Sequence, residues 1–342
     1  MDWFRGERLG HGSFAQVNLA APRSRSSFLP PLMAVKSCGV SLSSSLLTEK
    51  NILEELRDCP EIIRCYGGSY SCENGEKLYN VLLEYASGGS LADKLKFSGD
   101  RRLPEVEVRQ YTKAILKGLH YIHKFGYVHC DIKLQNILLC ADGSVKIADF
   151  GLAKRADGGA AGCELRGTPM YMSPEMVAGS KQGAPADVWA LGCVVAEMVS
   201  GSPAWSCSDV AALLMRIGVG EEVPEIPGFL TAEGKDFLEK CFVKDPRQRW
   251  TAEMLLDHPF VCGEEMDGRD SLKENTASIS PRCPFDFQDW SSCSITSLPS
   301  PSESNSAGWS VSTAAERLRE LLVNFTENSP NWSVSDDWVT IR

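Results

Sequence analysis

Val128-His129-Cys130-Asp131-Ile132-Lys133-Leu134-Gln135-Asn136-Ile137-Leu138-Leu139, with Asp149-Phe150-Gly151 eighteen residues beyond Asp131, places two carboxylates, an amide and a lysine in one short span. Asp131 is set to accept a proton from an attacking hydroxyl, and Lys133 to offset charge on a transferring phosphoryl group. Asn136 and Asp149 supply hard oxygen atoms of the kind that hold Mg2+. Phosphoryl transfer asks for little covalent chemistry; it asks for charge placed around the group in flight. A lone Asp-Phe-Gly occurs by chance, but the two motifs in this order and spacing do not.

Upstream, Leu9-Gly10-His11-Gly12-Ser13-Phe14-Ala15-Gln16-Val17 carries two glycines one residue apart, which let backbone approach phosphate oxygens without an intervening Cβ. The third glycine of a GxGxxG pattern is Ala15. Met33-Ala34-Val35-Lys36 then ends an apolar run on a lysine, whose burial is costly without a partner. The helical stretch Ser44 to Leu56 offers Glu49 as the best partner, one turn from the core-facing Leu53; Glu54 and Glu55 are alternatives that fit the apolar stripe less well.

The pattern around these motifs predicts a strand-rich first hundred residues, with strands at Phe14 to Ala21, Leu32 to Cys38, Ile62 to Ser69 and Leu78 to Tyr85. Pro22 to Pro31 reads as a solvent-facing loop. After Gly89 the chain becomes mainly helical. Val106 to His123 places Val106, Tyr111, Ile115, Leu119 and Ile122 on one stripe, and Ala186 to Val199 is apolar nearly all round, as a buried central helix is. The fold class expected is α+β: a small β-rich lobe with one helix, then a larger helical lobe.

These residues resemble the eukaryotic protein kinase domain over residues 3–261. Gly167-Thr168-Pro169-Met170-Tyr171-Met172-Ser173-Pro174-Glu175 is similar to the segment closing the family's activation loop, Asp187-Val188-Trp189-Ala190-Leu191-Gly192 to the start of its central helix, and Asp245-Pro246-Arg247-Gln248-Arg249-Trp250 to its late arginine motif. The resemblance implies ATP and Mg2+ as cofactors, with Lys36 on the α- and β-phosphates. It implies Leu83 as gatekeeper, Glu84 and Ala86 offering backbone groups to adenine, and Val17, Ala34 and Leu138 enclosing the base. It further implies a buried Glu175–Arg249 pair, Asp187 bracing the catalytic loop, and Thr168 bonded to Asp131 and Lys133. Asp131-Ile132-Lys133 and Gly167-Thr168-Pro169 resemble the serine/threonine class.

More narrowly, Ala86-Ser87-Gly88-Gly89-Ser90-Leu91, His129-Cys130-Asp131 and the activation segment resemble plant MAP kinase kinase kinases of the MEKK-like class. The ending Asp336-Asp337-Trp338-Val339-Thr340-Ile341-Arg342 resembles a short-chain subgroup associated with abscisic-acid and stress signalling. The implied partner is a protein substrate, a MAP kinase kinase. Cys130 departs from the arginine that many kinases place before the catalytic aspartate to receive an activation-loop phosphate. Leu152 to Gly167 also holds no Ser, Thr or Tyr, so control by loop phosphorylation is not expected.

The totals exclude other classes. The chain has 342 residues, 45 Asp and Glu against 35 Lys and Arg, and a net charge of −10, so no basic surplus exists for nucleic acid. The start lacks a signal-like apolar core, and the apolar run at Ala190 to Val199 is too short to insert in a membrane. The expected compartment is the cytoplasm, the nucleus or both. Thirteen cysteines without a CxxC pair read as reduced thiols. Residues 262–342 read as an acidic Ser-rich regulatory tail, mostly disordered, with 13 Asp and Glu against 6 Lys and Arg beyond Cys262. Within it, Leu318, Leu321, Leu322 and Phe325 give residues 314–325 an amphipathic helical pattern, a candidate for docking on the kinase domain or on a partner.

Overall fold

The computed structural model describes residues 2–11, 15–24, 29–156, 166–179, 182–207 and 209–262. Gly12, Ser13 and Phe14, the middle of the loop after Asp149-Phe150-Gly151, and the tail with its 314–325 segment lie outside the described residues.

Five antiparallel strands form the first lobe: β1 (Trp3–His11), β2 (Gln16–Pro22), β3 (Met33–Gly39), β4 (Cys65–Glu73) and β5 (Glu76–Glu84), in the order β1-β2-β3-β5-β4. Alternation along β3 sorts its side chains between two faces. Met33 and Val35 join Trp3, Ala20 and Leu82 on the outer face, while Ala34 joins Leu9 and Leu83 in the main core. The helix α1 (Ser43–Glu55) buries Leu46, Glu49, Ile52 and Leu53, a stripe at helical spacing that carries one carboxylate into the interior. Strand β1 was not anticipated, because two register shifts interrupt its alternation between Arg5 and Gly10. The strand expected from Ile62 begins instead at Cys65. Ile62 makes a lone parallel bridge to Ile147, and Ile63 N donates to Ile147 O at 2.9 Å.

The crossing to the second lobe is stitched at both ends. Glu84 N donates to Arg64 O at 2.8 Å on one side; on the other, Gly88 N donates to Leu139 O and Leu139 N to Gly89 O, both at 2.8 Å. Only Tyr85, Ala86 and Ser87 lie between. Ser90 then caps α2 (Leu91–Phe97) reciprocally with Asp93, satisfying two backbone donors.

The long helix α3 (Glu105–Lys124) buries Val108, Thr112, Ile115, Leu116, Leu119 and Ile122. Val106, expected on that stripe, is 67% exposed; Val108 holds the inward position two residues on. Short strands β6 (Tyr127–Val128), β7 (Ile137–Leu139), β8 (Val145–Ile147) and β9 (Lys154–Arg155) carry the motifs between the lobes. After α4 (Pro174–Val177) comes α5 (Ala184–Ser200), with 13 of its 17 residues buried, the central helix expected from its all-round apolarity. Gly192 lets it approach α7 (Ala232–Cys241): a Cβ there would stand 2.8 Å from that of Cys241. The helices α6 (Val210–Gly218), α8 (Ala252–Leu256) and α9 (Pro259–Cys262) complete the lobe. The expected α+β, two-lobed class is the one observed, and no described helix is long and apolar enough to cross a membrane.

Candidate active site

The sheet, α1 and the loop from Val128 to Gly151 converge on one cleft. Lys36 Nζ sits between Glu49 Oε2 at 2.7 Å and Asp149 Oδ1 at 2.9 Å. Burial alone would drive this ammonium's pKa down, but the Asp149 and Glu49 carboxylates hold it above its ordinary value. Of the three glutamates weighed from sequence, Glu49 makes the contact. Glu54 instead pairs with Lys50 on the surface, and Glu55 accepts from the Tyr127 hydroxyl at 2.8 Å.

The second ring of contacts on α1 was not anticipated. Glu49 Oε1 accepts from Phe150 N at 3.3 Å, and Ser45 Oγ donates to Gly151 O at 3.1 Å. The helix therefore grips the two residues that follow Asp149, which itself takes a left-handed backbone conformation at φ 62°. Phe150 is fully buried and meets the His129 ring edge-on, with centroids 4.8 Å apart.

Below this, Asp131 is 5% exposed and held on three sides. Asn136 Nδ2 donates to its backbone oxygen at 2.8 Å and to Oδ2 at 3.1 Å, Thr168 Oγ1 donates to Oδ1 at 2.8 Å, and Lys133 Nζ lies 2.9 Å from Oδ2. Lys133 also donates to Thr168 Oγ1 at 3.0 Å. The loop is fastened from α5: Asp187 Oδ2 and Oδ1 accept from His129 N and Cys130 N, each at 2.9 Å. Burial works against ionising Asp187, yet the His123 ring and the His129 amide hold its carboxyl below the ordinary range. His123 Nε2 lies 2.9 Å from Asp187 Oδ2, and among the described residues no group of three or more His, Cys, Asp or Glu side chains is placed to hold a metal ion.

Glu175 and Arg249 form a two-pronged pair at 2.7 and 2.9 Å, with the guanidinium fully buried. A neighbouring pair had no sequence signal: Tyr171 OH donates to Glu197 Oε2 at 2.6 Å, and burial pushes the Glu197 carboxyl up to about 7. Cys130, where an arginine was looked for, takes φ 70° and buries its thiol beside Val128 and Leu152.

The cleft's chemistry fits a nucleotide and a hard cation. Leu9, Ala34 and Leu83 are buried along it, with Val17 and Leu138 half-buried against the same core, and Ala15 flanks them. The N–H of Glu84 is spent on Arg64 and its carboxylate on Lys146 at 3.2 Å. Ala86 N donates to no backbone acceptor among the described residues. Because Asn136 spends its amide N–H groups on Asp131, its hard oxygen is left for a cation; the Asp149 side chain is 34% exposed, open to the same space. Gly10 and His11 close the hairpin by pairing with Val17 and Gln16.

A sheet lobe and a helical lobe that enclose this lysine, carboxylate and amide set define a protein kinase. The family model for the protein kinase domain matches residues 3–261, and the chain belongs to that family. Over its whole length it is 50% identical to mitogen-activated protein kinase kinase kinase 20 of Arabidopsis thaliana, covering all of both chains. It is 43% identical to kinase kinase kinase 17 of the same plant over 85% of this chain and 78% of the relative, and 38% identical to kinase kinase kinase 18 over 100% and 99%. It is a serine/threonine protein kinase that stands with these plant MAP kinase kinase kinases.

Proposed function

We propose that the chain phosphorylates serine and threonine on MAP kinase kinases, using ATP with Mg2+. The observation that carries this reading is the Asp131 carboxylate, buried between Thr168, Asn136 and Lys133 where an incoming hydroxyl would meet it. Asp131 takes the hydroxyl proton, and Lys133 offsets the charge that grows on the transferring group. Thr168 fixes the rotamers of both. Lys36, held by Glu49, positions the nucleotide phosphates, and Asn136 and Asp149 would hold Mg2+. The bound Mg-nucleotide supplies the phosphoryl group; the protein supplies position, charge and shelter from water.

Control is proposed to lie outside the activation segment. Its described hydroxyls are already committed or buried: Thr168 on Asp131 and Lys133, Tyr171 on Glu197, and Ser173 fully buried. Tail docking through residues 314–325 rests on their amphipathic pattern, and a place in abscisic-acid and stress signalling on the resemblance of the ending Asp336 to Arg342.

The test uses the full chain, Mg-ATP and a panel of kinase-dead MAP kinase kinases. Transfer to Ser or Thr of at least one member is expected, and Asp131→Asn should lower kcat about a thousandfold with the fold intact. Full activity in that variant, or transfer to no panel member, would sink the assignment.

A further inference from the structure

The outer face of the sheet carries a polar network that reaches every strand. Arg5 on β1 grips Glu73 of β4 with two nitrogens, at 2.8 and 3.0 Å. Its remaining donor bonds reach Ser37 of β3 at 2.9 Å, Asn80 of β5 at 2.9 Å and Asn18 of β2 at 3.4 Å. Ser37 Oγ donates to Asn80 Oδ1, Asn80 Nδ2 to Ser71 Oγ, and Ser71 Oγ to Glu73 Oε1, so the web closes on itself. Asn80 and Ser37 are buried, and the Arg5 bonds hold the Glu73 carboxyl below its ordinary value.

This web ends on an irregularity. Arg5 pairs with Ala20 and Arg8 with Asn18, so Gly6 and Glu7 together oppose Leu19 alone. The extra residue reverses the alternation for Arg8 and Leu9, and the second register shift, between Arg8 and Gly10, restores it. Trp3 and Arg5 face outward, and strict alternation would send Leu9 outward too. With the extra residue, Arg8 faces outward beside Asn18 and Leu9 is buried in the core on the cleft side. Asn18 Nδ2 donates to the bulge carbonyl, Gly6 O, at 3.3 Å, and Arg5 holds the oxygen of that same amide.

We infer that Arg5, acting through Asn18 and the Gly6–Glu7 bulge, is a positioning residue that turns Leu9 onto the nucleotide face of the cleft. This rests on the reading of Leu9 as part of the nucleotide seat. A single ammonium cannot span four partners on four strands, so lysine is not an equivalent.

The full chain is assayed with ATP as the varied substrate, for Arg5→Met, Arg5→Lys, Asn18→Ala, Leu9→Ala and the Arg5→Met/Leu9→Ala double variant, with thermal unfolding measured alongside. Arg5→Met should raise KM for ATP about tenfold and Asn18→Ala about threefold, with kcat at saturating ATP within about twofold. Arg5→Lys should resemble Arg5→Met. Because Arg5 acts through Leu9, adding Arg5→Met to Leu9→Ala should change KM less than about twofold. If Leu9→Ala raises KM for ATP while Asn18→Ala leaves it unchanged, the bulge role falls and the nucleotide seat stands. Independent, multiplying effects would likewise overturn it, as would a loss confined to kcat and thermal stability. If Leu9→Ala leaves KM for ATP unchanged, the seat reading falls and takes this inference with it.

Discussion

The catalytic loop and the β1–β2 hairpin face each other across the cleft, and they are fastened by opposite means. The loop is anchored from beneath, where the buried Asp187 of a central helix takes two backbone N–H groups at 2.9 Å and Arg249 clamps Glu175 nearby. The hairpin lies at the edge of a sheet, with a ladder broken twice, and takes its hold from side chains on the outer face. A low-dielectric interior makes the first kind of anchor strong and unforgiving, while the second spreads its load over six side chains on five strands. Damage to the loop's anchors should therefore appear in kcat and stability, and damage to the hairpin in KM for ATP.

The strongest challenge to that contrast is Arg249→Met, which strands the Glu175 carboxylate in the interior. Urea unfolding should show a loss of about 3–5 kcal/mol; a change below about 1 kcal/mol would mean the helical lobe is not held in this way. Glu197→Gln tests the same floor through pH. The Glu197 carboxyl is raised to about 7 in the folded protein from an ordinary 4.5, so the folded state keeps a proton that the unfolded chain releases. Stability from this group is present below 4.5 and is lost as pH rises toward about 7, by at most about 3 kcal/mol. The variant should flatten the difference between pH 5 and pH 8; an unchanged slope would contradict it.

Asp187→Asn removes the charge from the loop's anchor and should lower kcat up to about a hundredfold, with KM for ATP within about threefold. The reverse split would erase the contrast between the two regions. The mildest change is Ala15→Gly, which completes the third glycine and loosens the hairpin. Its extra freedom costs about 0.4–1 kcal/mol to order, raising KM for ATP about two- to fivefold at constant kcat.

Where chemistry dictates residue type, the sequence was readable. Asp131, Asn136 and Asp149 stand out because few other side chains can carry their charge and ligand atoms, and the structure gathers them with Lys36 and Lys133 in one cleft. Glu49 was separable from Glu54 and Glu55 by periodicity alone, since only it shares the buried stripe of Leu46 and Leu53. Strand β1 was opaque because bulges cancel the period-two signal by which strands are recognised. Val106 misled because it stands five residues from Tyr111, off the three- and four-residue spacing that Val108 keeps with Thr112 and Ile115. Pairs such as Tyr171 with Glu197, or Arg5 with Glu73, lie 26 and 68 residues apart, and no local pattern announces them.

The three residues between the stitches, Tyr85 to Ser87, make a short fulcrum. Hairpin residue Gln16 lies across from Ser37, which pairs with Asn80, four residues up β5 from Glu84 at the fulcrum, or about 13 Å at strand rise. A rotation about the fulcrum sweeps Gly10 through a long arc and scarcely displaces Leu83 or Ala86. A small molecule confined to the base seat thus meets nearly the same walls whether the jaws are apart or together, and has little leverage on their angle. One that extends to Gly10 would meet a surface that such a rotation displaces, and could choose between the two positions.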